Sequence, residues 1–196
     1  MPALRFILAS ASPRRRELLE KGGFEFDLVS PEVAETSSAS LTIRERTTCN
    51  ATRKALVIAK NSRDAVVLGA DTLVAVDGEV IGKPFDLGEA AKFLRRLSGR
   101  SHEVWTAVFI CHRANQRAQA FCEISRVHFR ELTEQAIADY FTKVNPLDKA
   151  GAYAAQGHGT EIIERIEGSF SNVVGLPMEA TTRALRAFGI TPRPRS

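Results

Sequence analysis

The sequence has few cysteines and no long hydrophobic run. Among its 196 residues there are three cysteines, Cys49, Cys111 and Cys122, and they form neither a CxxC pair nor a zinc-ligand spacing. Cys111 and Cys122 could face each other across a hairpin, but we expect buried free thiols, which favours the cytoplasm. No apolar run approaches the roughly 20 residues of a membrane-spanning helix. Arg5 is followed by only four apolar residues, which does not fit a signal peptide.

The common short signatures of nucleotide and hydrolase chemistry are also missing. The chain contains no GxxxxGK[ST] loop, no GxGxxG turn, no HExxH helix and no GxSxG elbow. The net charge is +4 and the pI about 9.2, which fits either a polyanionic ligand or a solvated surface rich in arginine. No block of lysine and arginine alternates with aromatic residues, so a nucleic-acid surface is not favoured and no membrane partner is expected.

The remaining composition, 44% apolar and 26% charged residues, is ordinary for a globular protein that buries a core. We expect one domain over residues 1–196. Local patterns predict strands at residues 5–9, 24–29, 66–70, 73–76, 79–81, 103–112, 118–129 and 161–166, and helices at residues 13–21, 42–61, 86–98, 133–143 and 177–188. This order lacks strict βαβ alternation. It indicates an α/β fold with a mixed central sheet flanked by helices, in two lobes with a cleft between them.

The most informative run is Ser10-Ala11-Ser12-Pro13-Arg14-Arg15-Arg16, which follows the first strand. Ser12 suits the N-cap of a helix and Pro13 its first position. Backbone N–H groups at a helix start attract anions, and here hydroxyls and guanidinium groups stand beside them. The run therefore predicts a cradle for a phosphorylated small molecule, with a nucleotide as the first guess.

A second run, Gly69-Ala70-Asp71-Thr72, ends a buried strand, where α/β proteins usually bind their ligands. The predicted hairpin that follows could return Lys83, in Gly82-Lys83-Pro84, toward Asp71. Equally, Asp71 could be a turn former and the two charges a surface ion pair. Taken alone, Glu35 fits a solvated side chain in an acidic loop, and Lys54 fits an exposed position on a helix.

A third run spans residues 148–159 and is rich in small residues, which suits either close approach to a ligand or a flexible loop. Within it, Gln156 could read a base edge, because an amide offers both donor and acceptor. His158 could act as a general acid, although a lone histidine in a loop is more often incidental.

Together these runs resemble the Maf family of nucleoside triphosphate pyrophosphatases over nearly the whole chain. Each motif is weak alone, but five in the family's order and spacing are specific. They are Leu8-Ala9-Ser10-Ala11-Ser12-Pro13-Arg14-Arg15, Gly69-Ala70-Asp71-Thr72, Gly82-Lys83-Pro84, Asp148-Lys149-Ala150-Gly151-Ala152-Tyr153 with Gln156-Gly157, and Val173-Val174-Gly175-Leu176-Pro177. Ala11 replaces the glycine that the family commonly has between the two serines.

The resemblance implies a fold like that of inosine triphosphatase, often dimeric, and removal of unwanted nucleotides by hydrolysis to the monophosphate and diphosphate. It also implies a divalent cation, Mg²⁺ or Mn²⁺, held by Asp71 and Glu35, with Asp71 as the proton acceptor. The implied substrate-binding residues are Ser10, Arg14, Arg15, Glu35, Lys54 and Lys83. Arg14, Thr72 and Gln156 match the branch that acts on dTTP and UTP rather than the branch that acts on 7-methyl-GTP.

Two other functions remain open from the sequence. The family was first linked to inhibition of septum formation, so the chain could be a non-enzymatic cell-division regulator that binds nucleic acid or a protein partner. The same cradle could also serve a phosphatase or a nucleotidyltransferase.

Overall fold

A computed structural model describes residues 4–193 and has the predicted mixed sheet flanked by helices. The strands are β1 (Arg5–Ala9), β2 (Asp27–Val29), β3 (Ala65–Val76), β4 (Glu79–Ile81), β5 (Ser101–His112), β6 (Arg117–Phe129) and β7 (Ile163–Glu167). The helices are α1 (Pro13–Lys21), α2 (Ile43–Ala59), α3 (Leu87–Leu97), α4 (Glu134–Lys143), α5 (Gly159–Ile162), α6 (Phe170–Val174) and α7 (Met178–Ala187). The seven strands are hydrogen-bonded in the order β2-β1-β3-β5-β6-β7, with β4 paired to β3.

Four predicted strands differ from the observed ones. The strand predicted at residues 24–29 is shorter, because the Phe24 N–H closes the end of α1 on the Leu19 carbonyl and Phe24 packs in the core. The strands predicted at 66–70 and 73–76 form one strand, β3, which continues through Asp71 and Thr72, so the expectation that Asp71 ends a strand is wrong. The strand predicted at 161–166 begins as the helical turn α5, and β7 takes only the residues after it.

The described chain divides into two compact units. The first unit contains residues 4–71, 106–123 and 175–193. In it β1 runs parallel to both β2 and β3, with Ala9 in register with Gly69. Asp71 follows Gly69 by two residues, so Asp71 and the cradle both lie just beyond the carboxyl end of β1. The core of this unit includes Phe6, Leu8, Leu19, Leu68, Ile110 and Leu185.

The second unit contains residues 72–105 and 124–174. Its β3–β4 hairpin turns at Asp77 and Gly78, which both have positive φ (54° and 78°), as a tight hairpin turn of this kind requires. The prediction of a hairpin at this position is therefore confirmed. The core of this unit includes Val74, Leu94, Leu97, Val127, Tyr140 and Ile162.

Two further expectations concern the whole described chain. No helix within residues 4–193 is long and apolar enough to cross a membrane. All three cysteines are free, and Cys111 is buried, whereas Cys49 and Cys122 are partly exposed. The prediction of free thiols is confirmed, and that of burial holds for Cys111 alone.

Candidate functional site

The serine cradle forms at the start of α1 in the first unit. Ser12 is the N-cap and its hydroxyl accepts a hydrogen bond from the Arg15 N–H, while Pro13 opens the first turn. The Ser10 hydroxyl accepts from the Ser12 N–H at 3.1 Å and from Arg15 Nη1 at 3.5 Å. A hydroxyl that accepts also has one proton to donate, so both serines can present a donor to an anion. The predicted N-cap and the predicted proline position are confirmed.

The three arginines that follow Pro13 have different surroundings. Arg15 is buried, and its Nε donates to the Gly175 carbonyl at 2.8 Å. Arg14 is half-buried, whereas Arg16 is exposed and lies 3.6 Å from Glu20. Gly175 has φ 127°, a conformation that favours glycine, and it belongs to the fifth sequence motif. That motif therefore helps to hold the buried guanidinium in place.

Burial lowers the pKa of Arg15 below its usual range, and the Asp71 and Glu35 carboxylates partly offset that effect. The neighbouring Arg14 lowers the Arg15 pKa further. An arginine keeps its proton in proteins, so Arg15 contributes a permanent positive charge close to the two acidic side chains. The cradle and the carboxylates thus belong to one electrostatically connected cluster within the first unit.

Lys54 joins the two carboxylates. Its Nζ lies 2.7 Å from Asp71 Oδ1 and 2.5 Å from Glu35 Oε1. The side chains of Lys54 and Asp71 are only 12% and 5% exposed, whereas that of Glu35 is 56% exposed. The expectation that Lys54 is an exposed helix lysine is therefore wrong, because helix α2 turns it toward Asp71 within the buried strand β3.

A glycine on β3 explains how α2 comes close enough. A Cβ added at Gly69 would lie 2.7 Å from the Ala55 nitrogen and would collide with the Ala51 carbonyl oxygen, both on the α2 backbone. Ala51 and Ala55 are fully buried, so small residues line both sides of this contact. The close approach brings the side chains of α2 within reach of Asp71.

Asn50 is the site residue that the sequence analysis missed. It is 2% exposed, and its Nδ2 donates to Asp71 Oδ2 at 3.2 Å and to the Thr36 carbonyl at 3.4 Å. Its Oδ1 accepts from the Thr36 N–H at 2.8 Å. Asn50 therefore fixes both the carboxylate and the loop that carries Glu35. The sequence carries one indication of this role: Asn50 precedes Lys54 by four residues, so the two side chains share one face of the helix.

We expect Asn50→Leu to lower kcat/KM for a nucleotide substrate by about tenfold or more, because it removes all three hydrogen bonds of this side chain, including the buried one to Asp71, without changing side-chain volume much. Asn50→Asp keeps the acceptor for the Thr36 N–H but loses the donor and sets a second carboxylate beside Asp71. Its kcat/KM should therefore be no higher than that of Asn50→Leu. Steady-state kinetics measures both. Asn61→Leu makes the same change at an exposed residue after α2 and should stay close to the native value. If Asn50→Leu has the native kcat/KM, the hydrogen bonds of Asn50 to Asp71 and Thr36 are not needed for activity.

The other predicted site residues, Thr72, Lys83 and Gln156, belong to the second unit. Thr72 follows Asp71 directly in β3, so the two side chains point to opposite faces of the strand. Lys83 is exposed in the loop after β4, and Gln156 is half-buried. His158 is exposed and its Nδ1 lies 2.7 Å from Glu161 Oε1, which fits a surface role.

The loop of Lys83 is tied to the run at residues 148–159 within this unit. The Gly151 N–H donates to the Gly82 carbonyl at 3.0 Å, and Gly151 has φ 73°. The following Tyr153 is buried and shares a 2.7 Å hydrogen bond with His102 Nε2. Burial lowers the pKa of His102 to about 4 and raises that of Tyr153, so both side chains are neutral at neutral pH. The run at residues 148–159 is thus anchored at Gly151 and Tyr153 rather than being a loose loop.

The residues that could hold a divalent cation are the two carboxylates around Lys54. Within residues 4–193 no group of three or more His, Cys, Asp or Glu side chains is arranged as a metal site. Mg²⁺ is commonly bound through one or two carboxylates together with substrate phosphates. Asp71 and Glu35 both contact the Lys54 ammonium group, so a cation that arrived with a phosphorylated substrate and bound both carboxylates would take the place of that group.

Fold and site together define an α/β protein with a helix N-terminus, hydroxyls and a lysine–carboxylate cluster in one unit, an arrangement suited to a phosphorylated small molecule. Comparison with known families makes this more specific. The chain belongs to the Maf-like protein family, which matches residues 5–188.

Curated relatives carry a common name. A Bacillus velezensis protein named dTTP/UTP pyrophosphatase is 46% identical over 186 residues, which cover 95% of this chain and 97% of the relative. A Bacillus pumilus protein of the same name is 43% identical over 188 residues, covering 96% of this chain and 98% of the relative. A Bacillus cereus protein of that name is also 43% identical, with 95% and 91% covered.

Proposed function

We propose that this protein is a nucleoside triphosphate pyrophosphatase that hydrolyses dTTP and UTP to the nucleoside monophosphate and diphosphate. The observation that carries the proposal is the Asp71 carboxylate, which Lys54 and Asn50 hold within β3 in the same unit as the serine cradle. The names of the relatives that match nearly the whole chain support the same reaction.

In the proposed reaction, water attacks the α-phosphorus and the bond from that phosphorus to the bridging oxygen breaks, so that diphosphate leaves. Asp71 accepts a proton from the attacking water. Negative charge grows on the leaving diphosphate, and the cations Arg14, Arg15, Lys54 and Lys83 would neutralise it. The Ser10 and Ser12 hydroxyls and the N-terminus of α1 would hold phosphate oxygens.

We propose Mg²⁺ or Mn²⁺ as the cofactor, held by Asp71 and Glu35 and completed by substrate phosphates. When bound, the cation would neutralise phosphate charge and orient the triphosphate. We expect a chelator to abolish diphosphate release and an excess of either cation to restore it. Full activity after exhaustive chelation would contradict the metal assignment.

For the base, we propose that Thr72 and Gln156 form hydrogen bonds with a pyrimidine and that Arg14 supports the same preference. A site built to pair with polar groups of one base disfavours a base that leaves those groups unpaired. We expect kcat/KM for dTTP and UTP to exceed that for CTP, GTP and 7-methyl-GTP by at least about tenfold, and Gln156→Ala to reduce the difference. A preference for 7-methyl-GTP would refute this assignment.

Analysis of the products distinguishes the other functions. Diphosphate supports the proposal, whereas orthophosphate would indicate a phosphatase and a transferred nucleotide a nucleotidyltransferase. Absence of turnover with any metal, together with steeply salt-dependent DNA binding, would favour the cell-division regulator. We also propose that the enzyme acts on the cytoplasmic nucleotide pool, since its three cysteines are free thiols.

A further inference from the structure

A buried histidine on β5, His102, is not among the residues of the proposed reaction. It is 2% exposed, and its Nδ1 is a buried atom without a hydrogen-bond partner in the described chain. An unpaired polar atom in a protein interior costs free energy, which a leucine at this position would avoid. The other ring nitrogen, Nε2, shares a 2.7 Å hydrogen bond with the Tyr153 hydroxyl. That hydrogen bond is what a histidine supplies here and an apolar side chain cannot.

Ring packing holds the Tyr153 side chain as well. The rings of His102, Phe129 and Tyr153 are all buried and contact one another edge to face. The ring centroids of Phe129 lie 4.9 Å from those of both His102 and Tyr153, and the His102 and Tyr153 centroids are 5.3 Å apart. Aromatic pairs prefer this geometry at such separations. Three-way packing and one hydrogen bond together fix the position of the Tyr153 ring.

The Tyr153 ring packs against a segment of unusual backbone conformation. Gly151 and Ala152 both have positive φ, at 73° and 64°. This conformation is uncommon for alanine and persists where surrounding contacts enforce it. A Cβ added at Gly151 would lie 3.2 Å from Cε1 of Tyr153 and 3.3 Å from Cγ1 of Val74, so the tyrosine ring lies directly on the Gly151 backbone. The ring is therefore one of the contacts that hold this conformation.

In this conformation the Gly151 N–H points at the loop that carries Lys83. It donates to the Gly82 carbonyl at 3.0 Å. Gly82 and Lys83 are both exposed, and a Cβ at Gly82 would meet nothing within 4 Å, so side-chain packing does not hold the backbone at these two positions. The hydrogen bond from Gly151 supplies that restraint instead.

We propose that His102 is a positioning residue, which acts through Tyr153 and Gly151 to hold the backbone of Lys83 where that lysine meets the leaving diphosphate. The inference rests on the proposed function, which sets Lys83 against the diphosphate. All the contacts in this series join residues of the second unit. Because protein interiors are close-packed and transmit displacements, loss of the first contact should be felt at the last.

Amide hydrogen exchange followed by NMR tests this positioning without a nucleotide. Tyr153→Phe keeps the ring and removes the hydroxyl, and His102→Leu removes its partner, so each should speed exchange of the Gly151 N–H at least about tenfold. His102→Gln can still bond the hydroxyl and should exchange more slowly than His102→Leu. His112→Leu makes the same substitution at another buried histidine of β5 and should leave Gly151 unchanged. Exchange at Leu8 in β1 is the reference, since a loss of stability throughout the chain would speed it as well.

A double-mutant cycle for dTTP hydrolysis tests whether the positioning reaches Lys83. We expect His102→Leu to lower kcat/KM about tenfold in the native chain, but less than about twofold in Lys83→Ala, where no ammonium group is left to position. A purely structural loss would lower kcat/KM equally in both backgrounds. If His102→Leu does not fold, Tyr153→Phe takes its place in the cycle.

Two results would overturn the inference. One is exchange of the Gly151 N–H at the native rate in both Tyr153→Phe and His102→Leu. The other is an equal loss of kcat/KM with and without the Lys83 side chain. A native chain that releases no diphosphate from any nucleotide would instead contradict the proposed function, and the exchange rates, which need no nucleotide, separate that case from a failure of the His102 contact.

Discussion

Asp71→Asn is expected to lower kcat for dTTP and UTP by about 10²–10⁴-fold. The amide has nearly the shape of the carboxylate, and its oxygen can still accept the hydrogen bond from Lys54, but it cannot take a proton from the attacking water. Lys54 and Asn50 contact both oxygens of the native carboxylate, so this one acidic side chain is held in place within β3. Release of diphosphate under saturating substrate and metal measures the effect.

The control for this change is Asp64→Asn. Asp64 is exposed just before β3, so the same chemical substitution alters the net charge equally without touching the cluster. We expect its turnover to match the native chain. Turnover in Asp71→Asn within a few-fold of native would mean that another group accepts the proton, whatever the substrate proves to be.

Gly69→Ala is expected to destabilise the fold by about 3 kcal/mol and to reduce kcat by about 100-fold. A methyl group at this position has no space, since it would press on backbone atoms of α2 at Ala51 and Ala55 rather than on a movable side chain. Helix α2 must shift outward and take Lys54 and Asn50 away from Asp71. Urea unfolding gives the free energy of unfolding, and diphosphate release gives the change in kcat.

Gly82→Ala is the matched stability control, because a Cβ there meets nothing within 4 Å and the backbone does not need positive φ. Its free energy of unfolding should change by no more than about 0.5 kcal/mol. An equally small loss in Gly69→Ala would show that α2 does not need its close approach to β3.

Much of the first unit was predictable because the signals are local. Ser12, Pro13 and the capping box of Thr42 with Glu45 determine where α1 and α2 begin, since each acts on backbone groups within one helical turn. The hairpin at Asp77-Gly78 is equally local. The strand predicted at residues 161–166 was partly wrong, because a short apolar segment can end a helix or begin a strand with similar local preference.

The roles of individual charged side chains depended on packing instead. Nothing near Lys54 in the chain distinguishes it from a surface lysine, and only the contact of α2 with Gly69 places its ammonium group between Asp71 and Glu35. For the same reason, Asn50 lies where it contacts both Asp71 and the loop that carries Glu35. Local sequence thus established the helix starts, the hairpin and the cradle, through interactions a few residues long. The tertiary structure alone decided which side chains surround Asp71, because those contacts join residues far apart in the chain through close packing of one helix on one strand.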